Sequence, residues 1–167
     1  MTRAVLSIGS NQGDALAHLR SVVVAVTPWL VGASTVVQTP PWGPVPQEDY
    51  LNAILLVDDV DAGPRDWLER GWACEQDAGR VRDVRWGPRT LDVDVVSVWD
   101  GATEVVSDDP DLTLPHPRAA ERAFVLVPWL DADPNAVLLG RPVADLVAAL
   151  AADEVATIRP RPELALR

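Results

Sequence analysis

Lysine is absent: all 14 basic residues of this 167-residue chain are arginine. That excludes a P-loop lysine, a Schiff-base lysine and the lysine that protein kinases require. A single cysteine, Cys74, excludes an intrachain disulfide and any multi-cysteine zinc or iron–sulfur site. Histidine occurs only as His18 and His116, too few for a histidine-built metal centre. No apolar run can span a bilayer; the longest, around Ser21 to Val26, is broken by Pro28. Met1-Thr2-Arg3 leads at once into strand-like sequence without a cleavable signal pattern, so a cytoplasmic location is expected. A net charge of −11 repels nucleic acid and anionic membrane alike, and neither is expected as a partner.

What is present suffices for a core. Hydrophobic residues make up 48% of the chain, well above what a disordered sequence carries. The length suits one domain over residues 1–167, and no repeat or linker divides it. Ala4 to Ile8 predicts a strand ending at Gly9-Ser10-Asn11, and Asp14 can cap a helix from Ala15 to Thr27. Val31 to Gln38 predicts a second strand, followed by a proline-rich loop from Thr39 to Pro46. Leu51 to Val57 predicts a third strand, and Pro64 opens a helix to Ala78. Residues 79–90 form a charged loop, Leu91 to Trp99 a fourth strand, and Glu104 to Val106 its hairpin partner. Helices are expected over 119–131, broken at Pro128, and over 143–151, ahead of a loosely held proline-rich tail. The order β-α-β-β-α-β plus C-terminal helices predicts an α+β fold: a ferredoxin-like antiparallel sheet with helices on its faces.

The chemistry concentrates in one stretch. Asp92 and Asp94 alternate with Leu91, Val93 and Val95, so both carboxylates share one face of a strand, with Cα atoms about 6.5–7 Å apart. Two like charges at that spacing invite a cation between them, and all-oxygen ligation suits Mg²⁺. Directly upstream, Arg80, Arg82, Arg85 and Arg89 stand against the single Asp83 in an otherwise acidic protein. Guanidinium groups bind phosphate oxygens in bidentate fashion. Carboxylates for a metal beside arginines for phosphates are the parts of a phosphoryl-transfer site. Trp86 can close over such a site as an apolar lid. His116, fixed between Pro115 and Pro117, loses little entropy on touching a phosphate. Tyr50 and Asn52 can stack on a flat heterocycle and read its edge. Cys74 reads as a small buried residue. On these residues alone, a nucleotidyl cyclase or polymerase-like transferase, or a nucleotide-binding module without catalysis, stays open beside a kinase.

Taken together the motifs resemble the 6-hydroxymethyl-7,8-dihydropterin pyrophosphokinase family. The resemblance rests on Ile8-Gly9-Ser10-Asn11, Thr39-Pro40-Pro41-Trp42-Gly43-Pro44 and Tyr50-Leu51-Asn52-Ala53. It continues through Gly79-Arg80-Val81-Arg82, the block from Arg85 to Asp94, and Pro115-His116-Pro117 with Arg122 and Phe124. It implies transfer of diphosphate from ATP to the pterin hydroxymethyl group, on the route to folate. By the same resemblance Asp92 and Asp94 hold two Mg²⁺ ions, with Arg80, Arg82 and Arg89 as catalytic partners. Glu75, Arg82, Trp86, Arg89, His116 and Arg122 face ATP. Thr39, Pro40, Trp42, Tyr50, Asn52 and Phe124 line the pterin pocket. A monomer is expected.

Overall fold

In the computed structural model, residues 1–79 and 90–167 are described. Arg80, Arg82, Arg85, Trp86 and Arg89 lie outside them. The chain runs β1 (Thr2–Ser10), α1 (Ala15–Val26), β2 (Leu30–Ala33), β3 (Val37–Thr39), β4 (Tyr50–Asp59), α2 (Pro64–Asp77) and β5 (Asp92–Asp100). There follow β6 (Thr103–Glu104), β7 (Ser107–Asp109), β8 (Leu112–Leu114), α3 (Ala123–Ala132), β9 (Val137–Leu138) and β10 (Arg141–Pro142). Two short helices, α4 (Val143–Ala149) and α5 (Ala152–Ala156), precede β11 (Arg159–Pro160). The main sheet has the order β11-β3-β4-β1-β5-β6, with β2 also on β4, and its pairs are antiparallel.

Strand periodicity divides the sheet into two faces. On one face Leu6, Ile8, Leu55, Val57, Val93 and Val95 pack against α1 and α2. The helix α1 buries Leu19, Val22, Val23 and Val26, one stripe at helical spacing, and Asp14 accepts from Ala17 N at 3.1 Å to cap it. In α2, Trp67, Leu68, Gly71, Cys74 and Glu75 are buried. A Cβ at Gly71 would lie 3.1 Å from Val93 Cγ1, so glycine lets α2 press onto β5 between Asp92 and Asp94. At the far end Trp67 Nε1 donates to Thr2 Oγ1 at 2.8 Å, and the Arg70 guanidinium stacks 3.7 Å over Trp29 while bonding Asp59 at 2.7 Å. The opposite face carries Val5, Ile54 and Val96 under Val125, Leu126 and Trp129 of α3. The helix α3 covers only part of that face.

Four expectations need correction. The second strand is two pieces: Ala33 pairs Leu55 and Val37 pairs Asn52, so three intervening residues on one side face two on the other. The extra residue is accommodated because Ser34 stitches the gap, its N donating to Ile54 O and its Oγ accepting from Ile54 N, both at 2.9 Å. Pro128 does not break its helix; α3 runs through it, buried against the sheet, after a short 3₁₀ turn at Ala119–Glu121. The partner of β5 is Thr103–Glu104 rather than 104–106, and an unforeseen β7–β8 hairpin follows. The tail is held: β11 pairs with β3, Arg161 N donates to Val36 O at 2.8 Å, and Arg20 Nε donates to Ala165 O at 2.8 Å.

Candidate active site

Among the described residues, Tyr50, Asn52, Asp92 and Asp94 come together on the α3 face of the sheet, whereas Glu75 belongs to α2. Gly9 of β1 pairs with Asn52 of β4 on one side and with Asp92 of β5 on the other. Asn52, Gly9 and Asp92 therefore form one row, spanning about 10 Å at the usual strand separation. Ser7 pairs with Ile54 and Asp94 in the row below. The carboxylates of Asp92 and Asp94 thus share a face with Tyr50 and Asn52, as alternation predicts.

On the β4 side, Asn52 is buried and its Nδ2 donates to Thr39 Oγ1 at 2.7 Å. Thr39 is itself buried and opposite Tyr50 in the ladder. The loop from Pro40 to Asp49 carries Trp42, whose indole meets Phe124 edge-on with centroids 6.3 Å apart. Thr39 and Asn52 are thus joined by a hydrogen bond beside Tyr50, and Trp42 is joined to Phe124 by ring contact.

On the β5 side, Glu75 of α2 is buried, and its Oε2 accepts from Val93 N at 3.0 Å. That bond braces the carboxylate-bearing strand from behind. A cleft of ≈ 330 Å³ lies beside β5, bounded by Leu68, Trp72 and Glu75 of α2, Asp94, and His116. His116 hangs next to the strand because its N donates to Val96 O at 2.8 Å, just after the cis Leu114-Pro115 bond. Burial, then the charge of Arg122, push the His116 pKa down to about 4 against the pull of Asp92, so the ring is neutral near pH 7. Its Nδ1 accepts from Arg118 N at 3.2 Å, which leaves the hydrogen on Nε2 as a neutral donor.

Arg122 stands where the two sides meet. Burial draws its guanidinium pKa downward, opposed by Asp94 and, more weakly, by Asp92. Its Nε is buried without a hydrogen-bond partner. Such an orphan donor beside two carboxylates fits an anionic ligand that is itself bridged to the carboxylates by cations. No group of three or more His, Cys, Asp or Glu side chains that could hold a metal occurs among the described residues. Two carboxylates suit Mg²⁺, which completes its shell with phosphate oxygens and water, and poorly suit a caged metal.

In the sequence, Ser10 and Asn11 stand out only as the end of a strand and part of the family motif, without a role at the site. The Ser10 hydroxyl donates to Thr90 O at 2.5 Å, at the end of the arginine-rich segment. Asn11 Nδ2 donates to Gln47 Oε1 and Glu48 O, both at 2.8 Å, at the end of the proline-rich loop. The end of β1 thus holds Thr90 on one side and the end of the proline-rich loop on the other.

Comparison with known proteins shows the family. A family model described as 7,8-dihydro-6-hydroxymethylpterin-pyrophosphokinase (HPPK) matches residues 5–134. The 2-amino-4-hydroxy-6-hydroxymethyldihydropteridine pyrophosphokinase of Mycobacterium tuberculosis is 48% identical over 159 residues, covering 90% of this chain and 85% of that one. The protein of the same name from Methylorubrum extorquens is 44% identical over 154 residues, covering 90% and 94%. Among solved structures, wild-type Plasmodium falciparum HPPK-DHPS superposes with a TM-score of 0.62 at 12% identity, over 88% of this chain. This chain spans 44% of that protein's length, and the likeness concerns the fold. No helix among the described residues is long and apolar enough to cross a membrane. With a family model matched over most of its length and relatives at this identity, the chain belongs to the 7,8-dihydro-6-hydroxymethylpterin-pyrophosphokinase family.

Proposed function

We propose that this chain transfers the β- and γ-phosphoryl groups of ATP, as one diphosphate, to the hydroxymethyl group of 6-hydroxymethyl-7,8-dihydropterin, releasing AMP and serving folate synthesis. The observation that carries this is the row Asn52–Gly9–Asp92, which sets a heterocycle-reading amide about 10 Å from a metal-type carboxylate pair on one open sheet face. That span suits a pterin and a triphosphate lying end to end.

Asp92 and Asp94 are the ligands for two Mg²⁺ ions in this reading. Bound there, Mg²⁺ supplies charge neutralisation on the triphosphate and a lowered pKa for the attacking hydroxyl. His116 donates a neutral Nε2–H, and Arg122 a charged guanidinium, to phosphate oxygens, favouring the charge that builds on the departing AMP. Glu75 holds β5 in register from the ATP side. Arg80, Arg82, Arg89 and Trp86 complete the phosphate side. Tyr50 and Phe124 hold the pterin between them, Asn52 reads its edge, and Thr39, Pro40 and Trp42 wall the pocket. The pterin oxygen attacks the β-phosphorus in line. No residue of the set is placed as a nucleophile, so no covalent enzyme intermediate is invoked.

The strand order, with β1 between β4 and β5 and helices α1 and α2 on one face, supports the ferredoxin-like reading of the fold. We further propose a single catalytic domain over residues 1–167, monomeric and cytoplasmic.

Nucleotide products decide the function. ATP should give AMP in the presence of the hydroxymethyl dihydropterin and remain intact without it. Release of inorganic pyrophosphate would identify a nucleotidyl transferase instead, and ATP left intact with the pterin present would identify a binding module.

A further inference from the structure

The Arg122 guanidinium carbon lies 5.8 Å from the Trp42 ring centroid and 5.4 Å from that of Phe124. Both distances are within the range where a ring face attracts a cation. Trp42 and Phe124 also touch each other, edge to face. The acidic groups acting on the guanidinium are Asp94, Asp92 and Glu121, and Arg118 repels it. The buried Nε is without a hydrogen-bond partner, while charge and the two rings act on the group. Trp42 is 40% exposed, on a loop, whereas Phe124 sits at the start of α3, half-buried and packed against the core. Of the two rings, the indole is the more exposed.

We propose that Trp42 is a positioning residue acting through Arg122: indole and Phe124 together cradle the guanidinium at the boundary between the carboxylate side and the aromatic side of the cleft, and a flat heterocycle arriving on Phe124 displaces the indole and releases the guanidinium toward phosphate oxygens. The inference rests on the proposed function for what the heterocycle and phosphates are. Its physical content is an exchange of partners. Before the heterocycle binds, Arg122 is occupied by two rings; afterwards it bonds oxygen anions. Occupation of the ring pocket therefore strengthens triphosphate binding, and by linkage the triphosphate strengthens heterocycle binding to the same degree. Loss of one exposed cation–π contact sets the scale at roughly two- to five-fold.

Two measurements test it. In the ligand-free protein, the Arg122 Nε–H resonance, identified by its absence in Arg122→Lys, should be displaced by the ring currents of both aromatics. It should move toward the position of a solvated arginine in Trp42→Leu and hold its place in Trp42→Phe. An unchanged resonance in Trp42→Leu overturns the proposal. The second measurement titrates Mg²⁺ with α,β-methylene ATP, which cannot pass on its diphosphate, with and without the hydroxymethyl dihydropterin. The wild type should bind the analogue more tightly with the pterin present, and Trp42→Leu should lose roughly two- to five-fold of that gain while Trp42→Phe keeps it. Equal gain in wild type and Trp42→Leu, or no gain in the wild type, overturns the proposal. A wild type that never releases AMP from ATP refutes the functional reading instead, and leaves the resonance test to stand by itself.

Discussion

Gly9 and Asn52 face each other across β1 and β4 so closely that a Cβ at position 9 would lie 2.3 Å from Asn52 Oδ1. Asn52 has little room to yield, because its Nδ2 is tied to Thr39 Oγ1 and both side chains are buried. Gly9→Ala should therefore rotate the amide off the pterin edge. We expect KM for the pterin to rise on the order of ten-fold, KM for ATP to change little, and stability to fall about 1–2 kcal/mol from overpacking. Steady-state kinetics with both substrates, beside a denaturant melt, checks this; an unchanged pterin KM would remove Asn52 from the pocket.

Asp92→Ala and Asp94→Ala should each lower turnover by at least about 100-fold, the scale of losing a preorganised electrostatic group. In metal-free buffer each variant loses a like charge on the strand face but also a counter-charge to Arg122, so neither should melt far from the wild-type temperature. Near-normal Mg²⁺-dependent activity in either variant would end the metal assignment.

His116 makes stability depend on acid. Its folded pKa of about 4 lies below the unfolded value of 6.5, so the unfolded chain binds the proton first. The stabilisation from keeping this ring neutral is complete above pH 6.5 and is lost as pH falls toward 4. Because the ring is only partly buried, wild type should lose on the order of 1–2 kcal/mol more than His116→Asn across that window. Denaturant melts of both proteins at pH 7 and pH 4.5 measure the difference; parallel losses would mean that the ring titrates normally.

Most of the strand-and-helix order was legible because each element announces itself locally. Leu19, Val22, Val23 and Val26 repeat at helical spacing, and Asp92 to Val95 alternates, so side-chain faces follow from backbone geometry alone. The carboxylate pair and its aromatic neighbours were legible for the same reason. What escaped depends on partners far away in sequence. The one-residue slip between Ala33 and Val37 exists only relative to β4. The passage of α3 through Pro128 rests on burial of Val125, Leu126 and Trp129 against the sheet, which outweighs one missing N–H. The grip of Ser10 on Thr90 spans 80 residues, and that of Arg161 on Gln38 spans 123. The arginine-rich segment from Arg80 to Arg89 falls outside the described residues.

The C-terminal segment should matter to one substrate only. Gln38, just before the proline-rich loop, and Asp49, just after it, are joined by Gln38 Nε2 donating to Asp49 Oδ2 at 3.0 Å. Arg159 reaches the same Asp49 oxygen at 3.1 Å, and Arg161 bonds Gln38 Oε1. The two arginines thus close the neck of the loop that carries Trp42. Replacing both with alanine should raise the pterin KM about two- to five-fold, in keeping with the modest worth of exposed pairs, and leave ATP affinity unchanged. Hydrogen exchange across residues 36–50 should quicken in parallel; identical exchange and KM would leave these arginines with no part in the loop.

The strand that ends the sheet on this side is itself a terminator. Without β11, the outer backbone of β3 would offer a row of donors and acceptors to any passing extended chain, the usual seed of sheet-to-sheet association. With β11 in place, the outermost strand is two residues long and includes Pro160, with Pro162 just beyond; neither proline has an N–H to give. Deleting this segment should therefore show first as turbidity on storage at high protein concentration.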